Sequence, residues 1–201
     1  MYLGTASTGP LLRARSQIET MLTKLVATSK GPVTIRPAAP HDAALLRDLR
    51  LEALAGHPEA FASDPASAAT EGIDVWAERI ARYASRAEGV ICVATTQDRF
   101  IGMMGLICGN RPKTRHGGTI YGAYVTADWR GVHVAEGLVN ACMAWAQMHG
   151  VAIVKLAVVT SNAPAIRCYS RCGFTVYGVD PKVICYNGAF HDELLMVRVV
   201  Q

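Results

Sequence analysis

The sequence lacks the features of a membrane-spanning, disordered or metal-stapled protein. Charged residues make up only 18% of the 201 residues, whereas hydrophobic residues make up 51%, and this balance excludes intrinsic disorder. The most apolar stretch, Val151–Val159, contains Lys155 and falls well short of the ~20 residues that cross a bilayer. A chain of this length buries roughly 70% of its unfolded surface, so it needs no disulfide or metal to fold. One globular domain with a modest appendage fits the length.

The six cysteines form neither a CxxC pair nor a cluster with histidine at zinc-binding spacing. They stand among apolar residues, which is typical of reduced thiols packed as small hydrophobic groups in a cytosolic protein. The N-terminus also lacks the apolar run and small-residue cleavage site of a secretory signal. We therefore expect no metal cofactor, no membrane partner and a cytoplasmic location.

The positive charge is concentrated near the N-terminus. Residues 1–30 hold four basic side chains and one acid, which accounts for +3 of the net charge of +4. A nucleic-acid-binding protein would carry a basic patch on its folded domain, so we expect no nucleic-acid partner. The one local basic run, Arg111–His116, is interpreted as a hairpin connection. The alternative is a contact with an acidic acceptor or partner.

Residues 1–30 are predicted to be an N-terminal extension, and residues 31–201 the folded domain. The first residues are loop-like, and residues 11–27 are predicted to form a basic amphipathic helix. Three roles stay open for this segment: a docking helix, a weak targeting peptide, or a stretch upstream of the true start codon. Gly31-Pro32 marks the junction with the domain.

Within the domain, alternating strand and helix patterns predict the order β-α-α-β-β-β-α-β-α-β-β. The fold class is therefore α/β, a single domain whose helices flank a mixed, mostly antiparallel sheet. The predicted elements are a strand at 33–36, a helix at 41–55 capped by Asp42 with Leu45, Leu49 and Ala53 inside, a linker at 56–72, a helix with Trp76, Ile80 and Tyr83 inside, strands at 90–95, 100–108 and 119–126, a helix at 133–148, a strand at 151–159 buried on both faces, a helix from Asn162 to Gly173, and strands at 174–179 and 191–200.

The first chemically suggestive segment is the loop Arg130–Ala135, between a predicted strand and helix. A glycine-containing turn at a helix N-terminus aims several backbone N–H groups at one point, which suits a phosphate or pyrophosphate. Gly131 permits close approach of a ligand to the backbone, and Arg130 adds a charged donor. The sequence has neither the GxxxxGK[ST] nor the GxGxxG pattern of nucleotide loops.

The second segment is the helix that follows the next strand. Asn162 is a good N-cap, Pro164 suits the first turn, and Gly173 is a C-terminal stop. Asn162, Ala165 and Tyr169 fall on one face of this helix, toward the end of the strand at 151–159. Taken alone, a helical tyrosine among apolar neighbours is a core residue.

Together the two segments, R-x-x-H-x-A and N-x-x-A-x-x-x-Y-x-x-x-G-F, closely resemble the signatures of the GNAT N-acetyltransferase superfamily. The similarity covers about residues 33–201. It implies that the strands at 119–126 and 151–159 splay apart and that acetyl-CoA, the co-substrate, inserts between them. His133 stands where that family usually has glycine. An αR backbone would let His133 keep its amide available, whereas a left-handed one would be strained. The residues expected to bind acetyl-CoA are Tyr124, Val125, Arg130, Gly131, Val132, His133, Val134, Ala135, Asn162, Ala165 and Tyr169.

The resemblance also implies direct attack of an amine on the thioester, with no covalent enzyme intermediate. Backbone donors near Tyr124–Val125 are expected to stabilise the oxyanion. Tyr169, neutral at physiological pH, is the expected catalytic acid for the departing thiolate. The strand at 119–126 carries no carboxylate for a general base. Remote candidates are Glu71, Glu136, Tyr121, His116 and Glu193.

The acceptor is the least constrained part of the prediction. A small amine or amino-acid-like acceptor is favoured, and a protein N-terminus or lysine is the alternative. A non-catalytic acyl-CoA-binding module and an interaction protein recruited through residues 1–30 are the competing classes, with a monomer or homodimer as the assembly. Acidic residues in the segments that flank the acceptor side in relatives would attract a cationic amine or form a solvated surface: Glu59, Asp64, Glu71, Asp180, Asp192 and Glu193.

Overall fold

The computed structural model describes residues 20–97 and 99–200. Its eight strands form one mixed sheet in the order β1-β2-β3-β4-β5-β6-β8-β7. Every neighbouring pair is antiparallel except β5 and β6, which are parallel. The strands are β1 Lys24–Thr28, β2 Gly31–Pro37, β3 Gly89–Thr95, β4 Phe100–Cys108, β5 Gly117–Val125, β6 Ile153–Val159, β7 Thr175–Tyr186 and β8 Ala189–Val199.

The α-helices given bounds within the described residues number five, and they flank this sheet, which confirms the α/β class. They are α1 Ala43–Gly56, α2 Pro65–Thr70, α3 Ile73–Arg86, α4 Val134–Met148 and α5 Ala163–Arg171. The element order matches the prediction except for an added strand, β1, and an added short helix, α2. The segment predicted as a linker, 56–72, contains the short helix α2 and a 3-10 turn at Pro58–Ala60. Asp64 begins α2 by accepting a hydrogen bond from the Ser67 amide at 2.8 Å. No helix in the two described ranges is long and apolar enough to cross a membrane.

The helix predicted over 11–27 does not extend to its expected end. Lys24–Thr28 form β1, which pairs with β2 in register from Lys24 opposite Ile35 to Thr28 opposite Gly31. The Gly31-Pro32 junction lies at the turn of this hairpin, where Gly31 has a φ of +113°. The apolar residues of β1 fit the edge of a sheet as well as a helix face, and only pairing with β2 decides between them. The rest of the predicted helix, before residue 20, lies outside the described residues.

The two faces of the sheet carry different helices. Ile91 and Val93 of β3 pack with α1 and α3, whereas Cys92 and Ala94 pack with α4, as the alternation of a strand requires. Trp76, Ile80 and Tyr83 are buried as predicted. The sheet is therefore covered on both faces, and α4 lies opposite the α1–α3 layer.

Two details of α1 correct the sequence prediction. Leu49 and Ala53 are buried as predicted, but Leu46, 1% exposed, takes the inward place expected for Leu45, which is 49% exposed. Asp42 is not a side-chain cap of α1. Its carboxylate instead accepts two hydrogen bonds from Arg36, at 2.6 and 2.9 Å, and one from the Ala39 amide at 2.7 Å. A buried carboxylate is stabilised more by a charged fork than by a helix amide.

Strand β6 starts at Ile153 and is not buried on both faces. Val154, Leu156 and Val158 are buried, while Lys155 and Ala157 between them are exposed. Alternation of this kind indicates one solvated face. The continuous β-branched run in the sequence predicted the strand correctly, but the prediction that both of its faces are buried was wrong.

Candidate active site

Strands β5 and β6 separate after a short paired segment. They pair only from Gly117 opposite Ile153 to Thr119 opposite Lys155, although β5 continues to Val125. Strand β6 stays paired with β8 along its whole length. Within the described part of the chain, the second half of β5 therefore has no strand partner on its β6 side, which leaves a wedge-shaped gap in the sheet.

The hydrogen bonding at the end of β5 shows which peptide groups face this gap. Thr126 donates its amide to the Ile101 carbonyl at 2.9 Å. Because N–H directions alternate along an antiparallel strand, the Val125 peptide points away from β4 and into the gap. In agreement, the Val125 carbonyl accepts a hydrogen bond from Arg130 Nε at 3.0 Å. By the same alternation the Tyr124 amide faces β4, so only Val125 of this predicted pair presents its amide to the gap.

A β-bulge lies just before this point. The pairing of β4 with β5 shifts between Met103 opposite Tyr124 and Gly105 opposite Tyr121, and Gly122 has a φ of +62°. Glycine meets this left-handed geometry without strain. The bulge turns β5 toward the layer formed by α1–α3.

The Arg130–Ala135 loop follows a 3-10 turn, Ala127–Trp129, and ends in the first turn of α4, which begins at Val134. Gly131 has a φ of +78° and a Cβ built there would meet no protein atom within 4 Å. The loop backbone at this position is thus open to a ligand. Gly137 allows α4 to pack close to the sheet, because a Cβ built at this position would lie only 2.3 Å from Ile35 Cδ1 of β2.

His133 takes the left-handed conformation, with φ 65° and ψ 15°. The αR geometry that would relieve strain at this position is therefore not adopted. Its carbonyl accepts the Gly137 amide at 3.1 Å, which starts α4. Its ring lies 3.2 Å from the Glu136 carboxylate. A left-handed non-glycine residue costs about 1–2 kcal/mol, so the fold holds this turn despite the side chain.

The Arg130 side chain folds back along β5. Besides the bond to Val125, its Nη2 lies 2.8 Å from His57 Nε2, and its guanidinium lies 5.7 Å from the Tyr124 ring centroid. The Tyr124 hydroxyl donates to Glu52 of α1 at 3.0 Å. Arg130, the charged donor predicted from the sequence, thus lies where the gap opens and stabilises the end of β5.

Helix α5 begins as the sequence predicts. The Asn162 side chain accepts the Ala165 amide at 3.2 Å, and Pro164 occupies the first turn. Tyr169 is 7% exposed and packs edge-on against Phe174 at 6.1 Å. Burial raises the pKa of Tyr169 well above its ordinary value, so the hydroxyl stays protonated. Tyr169 belongs to the main core of the domain, against whose edge Val125 and Ala165 also pack.

On the opposite face of the sheet, the bulge of β5 forms the floor of a cavity of about 390 Å³. Helices α1, α2 and α3 and strand β4 provide its walls. The lining residues that matter for the chemistry are Arg50, Glu71, Trp76, Arg79, Tyr121 and Gly122.

Sequence reasoning missed Arg50 altogether and placed Trp76 only in the core. A signal was present, since Arg50 falls four residues after Leu46 on the inward face of α1. A cationic side chain in an apolar stripe calls for an explanation by pairing or function.

The candidate general bases do not converge on the gap. Both oxygens of Glu71 accept from Arg79 Nη2, at 3.1 and 3.0 Å. The Tyr121 hydroxyl donates to Tyr83 at 3.3 Å, and burial raises the pKa of Tyr121, which makes it a poor base. Burial, followed by the nearby Asp180, raises the pKa of Glu193.

Glu136 joins α4 to α5. It accepts hydrogen bonds from Arg171, from Nε at 3.1 Å and more closely from Nη2. Burial would raise the pKa of Glu136, but the bonds from Arg171 and His133 outweigh burial and hold it below its usual range. His116 precedes β5, at the end of the strand remote from Val125. Among residues 20–97 and 99–200, no group of three or more metal-ligating side chains comes together.

A split pair of parallel strands beside a glycine-containing helix N-terminus agrees with the comparisons with known proteins. The family model described as Acetyltransferase (GNAT) family matches residues 52–174. This chain belongs to the GNAT family. It is an acetyl-CoA-dependent N-acetyltransferase, as the resemblance of its two motifs indicated.

Among the relatives of this GNAT enzyme is the L-amino acid N-acetyltransferase AaaT of Escherichia coli (strain K12). It is 28% identical over 129 residues, which cover 62% of this chain and 75% of the relative. An acetyltransferase structure from Streptococcus pneumoniae has a TM-score of 0.76 at 22% identity and covers 84% of this chain and 99% of its own. A structure from Salmonella typhimurium, described as a putative acetyltransferase with its cofactor acetyl-CoA, has a TM-score of 0.71 at 22% identity and covers 84% and 94%.

Proposed function

We propose that this enzyme transfers the acetyl group of acetyl-CoA directly to the primary amine of a small amine or amino-acid-like acceptor. The observation that carries this proposal is the position of β5 between two open spaces. The gap beside β6 lies on one side of its bulge, and the 390 Å³ cavity lies on the other. A donor and an acceptor can therefore reach the same strand from opposite sides. The amino-acid acceptor named for the Escherichia coli relative supports the choice of acceptor.

On the donor side, the loop Arg130–Ala135 is the proposed diphosphate site. Its backbone amides precede a 15-residue helix, α4, whose N-terminus favours negative charge. The open space at Gly131 leaves room for a phosphate oxygen against the backbone. Asn162 and Ala165, at the start of α5, are the other proposed contacts of the cofactor. They would act through their side chains, because the Asn162 amide is donated to the Val159 carbonyl and the Ala165 amide to the Asn162 side chain.

At the reacting centre, the Val125 amide is the proposed donor to the thioester oxygen. It faces the gap without a strand partner, so it is oriented before the charge develops. Tyr169 is the proposed acid for the leaving thiolate. Its raised pKa keeps the proton available at neutral pH. Tyr169 lies in α5, which follows directly after β6, the strand on the other side of the gap. Direct transfer needs no covalent intermediate, which leaves the buried thiols of Cys142, Cys168 and Cys172 without a nucleophilic role.

Thiol release from acetyl-CoA with a set of acceptors tests the proposal. The set contains free amino acids, simple alkylamines, polyamines and short peptides with a free N-terminus or a lysine. Rapid thiol release with amino acids or small amines is the expected result. Turnover confined to peptides would replace the small acceptor by a protein one. Acetyl-CoA binding without turnover on any acceptor would leave a binding module. We also keep the cytoplasm as the predicted location, since free thiols persist there.

A further inference from the structure

Two buried donor nitrogens in the cavity lack a partner among residues 20–97 and 99–200. They are Arg50 Nη1 on α1 and Trp76 Nε1 on α3. Native proteins pair nearly all such groups, because a buried donor without an acceptor loses its bonds to water and gains none in return. Two in one cavity, on two different helices, point to an acceptor atom that a ligand supplies.

The neighbouring acids do not supply that acceptor. The Glu71 carboxylate is engaged by Arg79, and Asp64 caps α2 through the Ser67 amide. Arg50 is instead held by packing, with its guanidinium carbon 4.5 Å from the Phe61 ring centroid. Burial lowers the pKa of Arg50 from its ordinary value, which reflects a cation without full compensation. The guanidinium is thus fixed in the cavity wall, with Nη1 buried there without an acceptor among the described residues.

The position of Arg50 relates this nitrogen to the transfer chemistry. A Cβ built on Gly122 would lie 3.8 Å from Arg50 Nη1, so the guanidinium abuts the bulge of β5. Gly122 and Val125 are three residues apart, a span of at most about 10 Å along a strand. An α-amino acid whose carboxylate contacts Arg50 covers part of this distance, and the acetyl group held at the Val125 amide covers the rest. A planar carboxylate is the anion that a guanidinium fork matches best.

We propose that Arg50 and Trp76 bind the carboxylate of the acceptor, so that the enzyme selects molecules carrying both an amine and a carboxylate over simple amines. This inference rests on the proposed function, since it takes the cavity to be the acceptor site. Apolar residues of the cavity wall, including Leu46, Ile91 and Met103, favour amino acids with apolar side chains.

The test compares L-leucine and L-phenylalanine with their carboxamides and with the corresponding decarboxylated amines. These probes are assayed on the wild type and on Arg50→Gln, Arg50→Lys and Trp76→Phe. Arg82→Gln is the matched control, because Arg82 is an exposed arginine on α3 that does not line the cavity. Arg50→Gln should raise KM for the amino acids by about 10–100-fold, as expected for a bond to a charged group. The carboxamides and amines should change by less than about threefold.

Arg50→Lys should recover only part of this loss, since an ammonium keeps the charge without the planar fork. Trp76→Phe, which keeps the ring packing, should raise KM for the amino acids by about 3–10-fold. For each probe, the KM of the variant is divided by the KM of the wild type. This ratio cancels the differences in basicity among the amines.

A second readout does not depend on turnover. The free amino acids should raise the thermal midpoint of the wild type and of Arg82→Gln, by linkage of binding to folding, and leave that of Arg50→Gln unchanged. Equal use of amino acids and their carboxamides by the wild type would overturn the inference while leaving the transferase function intact. A midpoint shift that persists in Arg50→Gln would also overturn it. A further outcome is a midpoint that shifts in the wild type but not in Arg50→Gln, while no probe gives thiol release. That result would support the carboxylate site and reject the proposed acetyl transfer to amino acids.

Discussion

The two sides of β5 are built in different ways. On the β6 side, the proposed cofactor loop is one continuous segment, Arg130–Ala135, which leads directly into α4. On the other side, the cavity is assembled from α1, α2, α3 and β4, which lie far apart in the sequence. A site made from one segment leaves a motif in the sequence, whereas a site made from several elements leaves single residues whose roles depend on packing. The first side was therefore predicted residue by residue, and the second was not.

The largest expected effect concerns Tyr169, the proposed acid for the leaving thiolate. Tyr169→Phe should lower kcat by roughly 10²–10⁴, as for other positioned acids, while acetyl-CoA affinity changes by less than about tenfold. The loss should shrink with an acyl donor whose leaving thiol is more acidic. Because burial raises the pKa of Tyr169, the wild type should not lose this acid by ionisation below about pH 10.

The measurement is single-turnover acyl transfer, with Tyr177→Phe as control. Tyr177 is 50% exposed on β7, so loss of its hydroxyl should leave the rate unchanged. Transfer within about threefold of the wild type in Tyr169→Phe would return Tyr169 to a purely packing role.

The second prediction tests whether the cofactor side depends on the loop backbone. Gly131→Glu should weaken acetyl-CoA binding by at least about 100-fold, because it places bulk and negative charge against the proposed diphosphate site. Gly150→Glu is a matched control: Gly150 also has a positive φ, +69°, with no atom within 4 Å of a built Cβ. Calorimetric titration of both folded variants separates the local charge from the shared backbone strain. Equal affinities would show that the loop is not the diphosphate site.

The third prediction concerns the residue that departs from the family pattern. His133→Gly should relieve the left-handed strain and raise the free energy of unfolding by about 1 kcal/mol or less. Acetyl-CoA affinity should rise by up to about threefold, since the loop needs less strain to hold its turn. Denaturant unfolding and titration measure the two effects, with His133→Asn as an intermediate because asparagine tolerates this conformation. Weaker binding in His133→Gly would assign the imidazole a direct contact with the cofactor.

The smallest expected effect concerns the basic loop before β5. Lys113 and Arg115 lie at the remote end of β5, about 25 Å from Val125 along the strand. The double variant Lys113→Ala/Arg115→Ala should therefore leave acceptor KM within about twofold at low salt. Acceptor kinetics at low and high ionic strength check this, because an electrostatic contact would weaken with salt. A salt-sensitive rise in KM would support the alternative contact with an acidic acceptor.

Most of the element order was readable because it depends on local periodicity. Trp76, Ile80 and Tyr83 recur at helical spacing, and all three are buried. The predictions for β1 and Leu45 were wrong for a common reason. A short apolar pattern does not specify which neighbour will cover it. Pairing with β2 makes β1 a strand, and the packing of α1 buries Leu46 in place of Leu45.

The sequence by itself determined the family, most of the element order, and the loop and helix motifs on either side of the gap between β5 and β6. Each of these depends on neighbours within a few residues: Asn162 caps α5 through Ala165, and Gly131 turns the chain before α4. The tertiary structure alone decided which face of β6 is solvated, that His133 is left-handed, and that Arg50 meets Gly122. Those features arise where distant segments pack, because burial and unpaired donors are properties of assembled elements and not of any single segment.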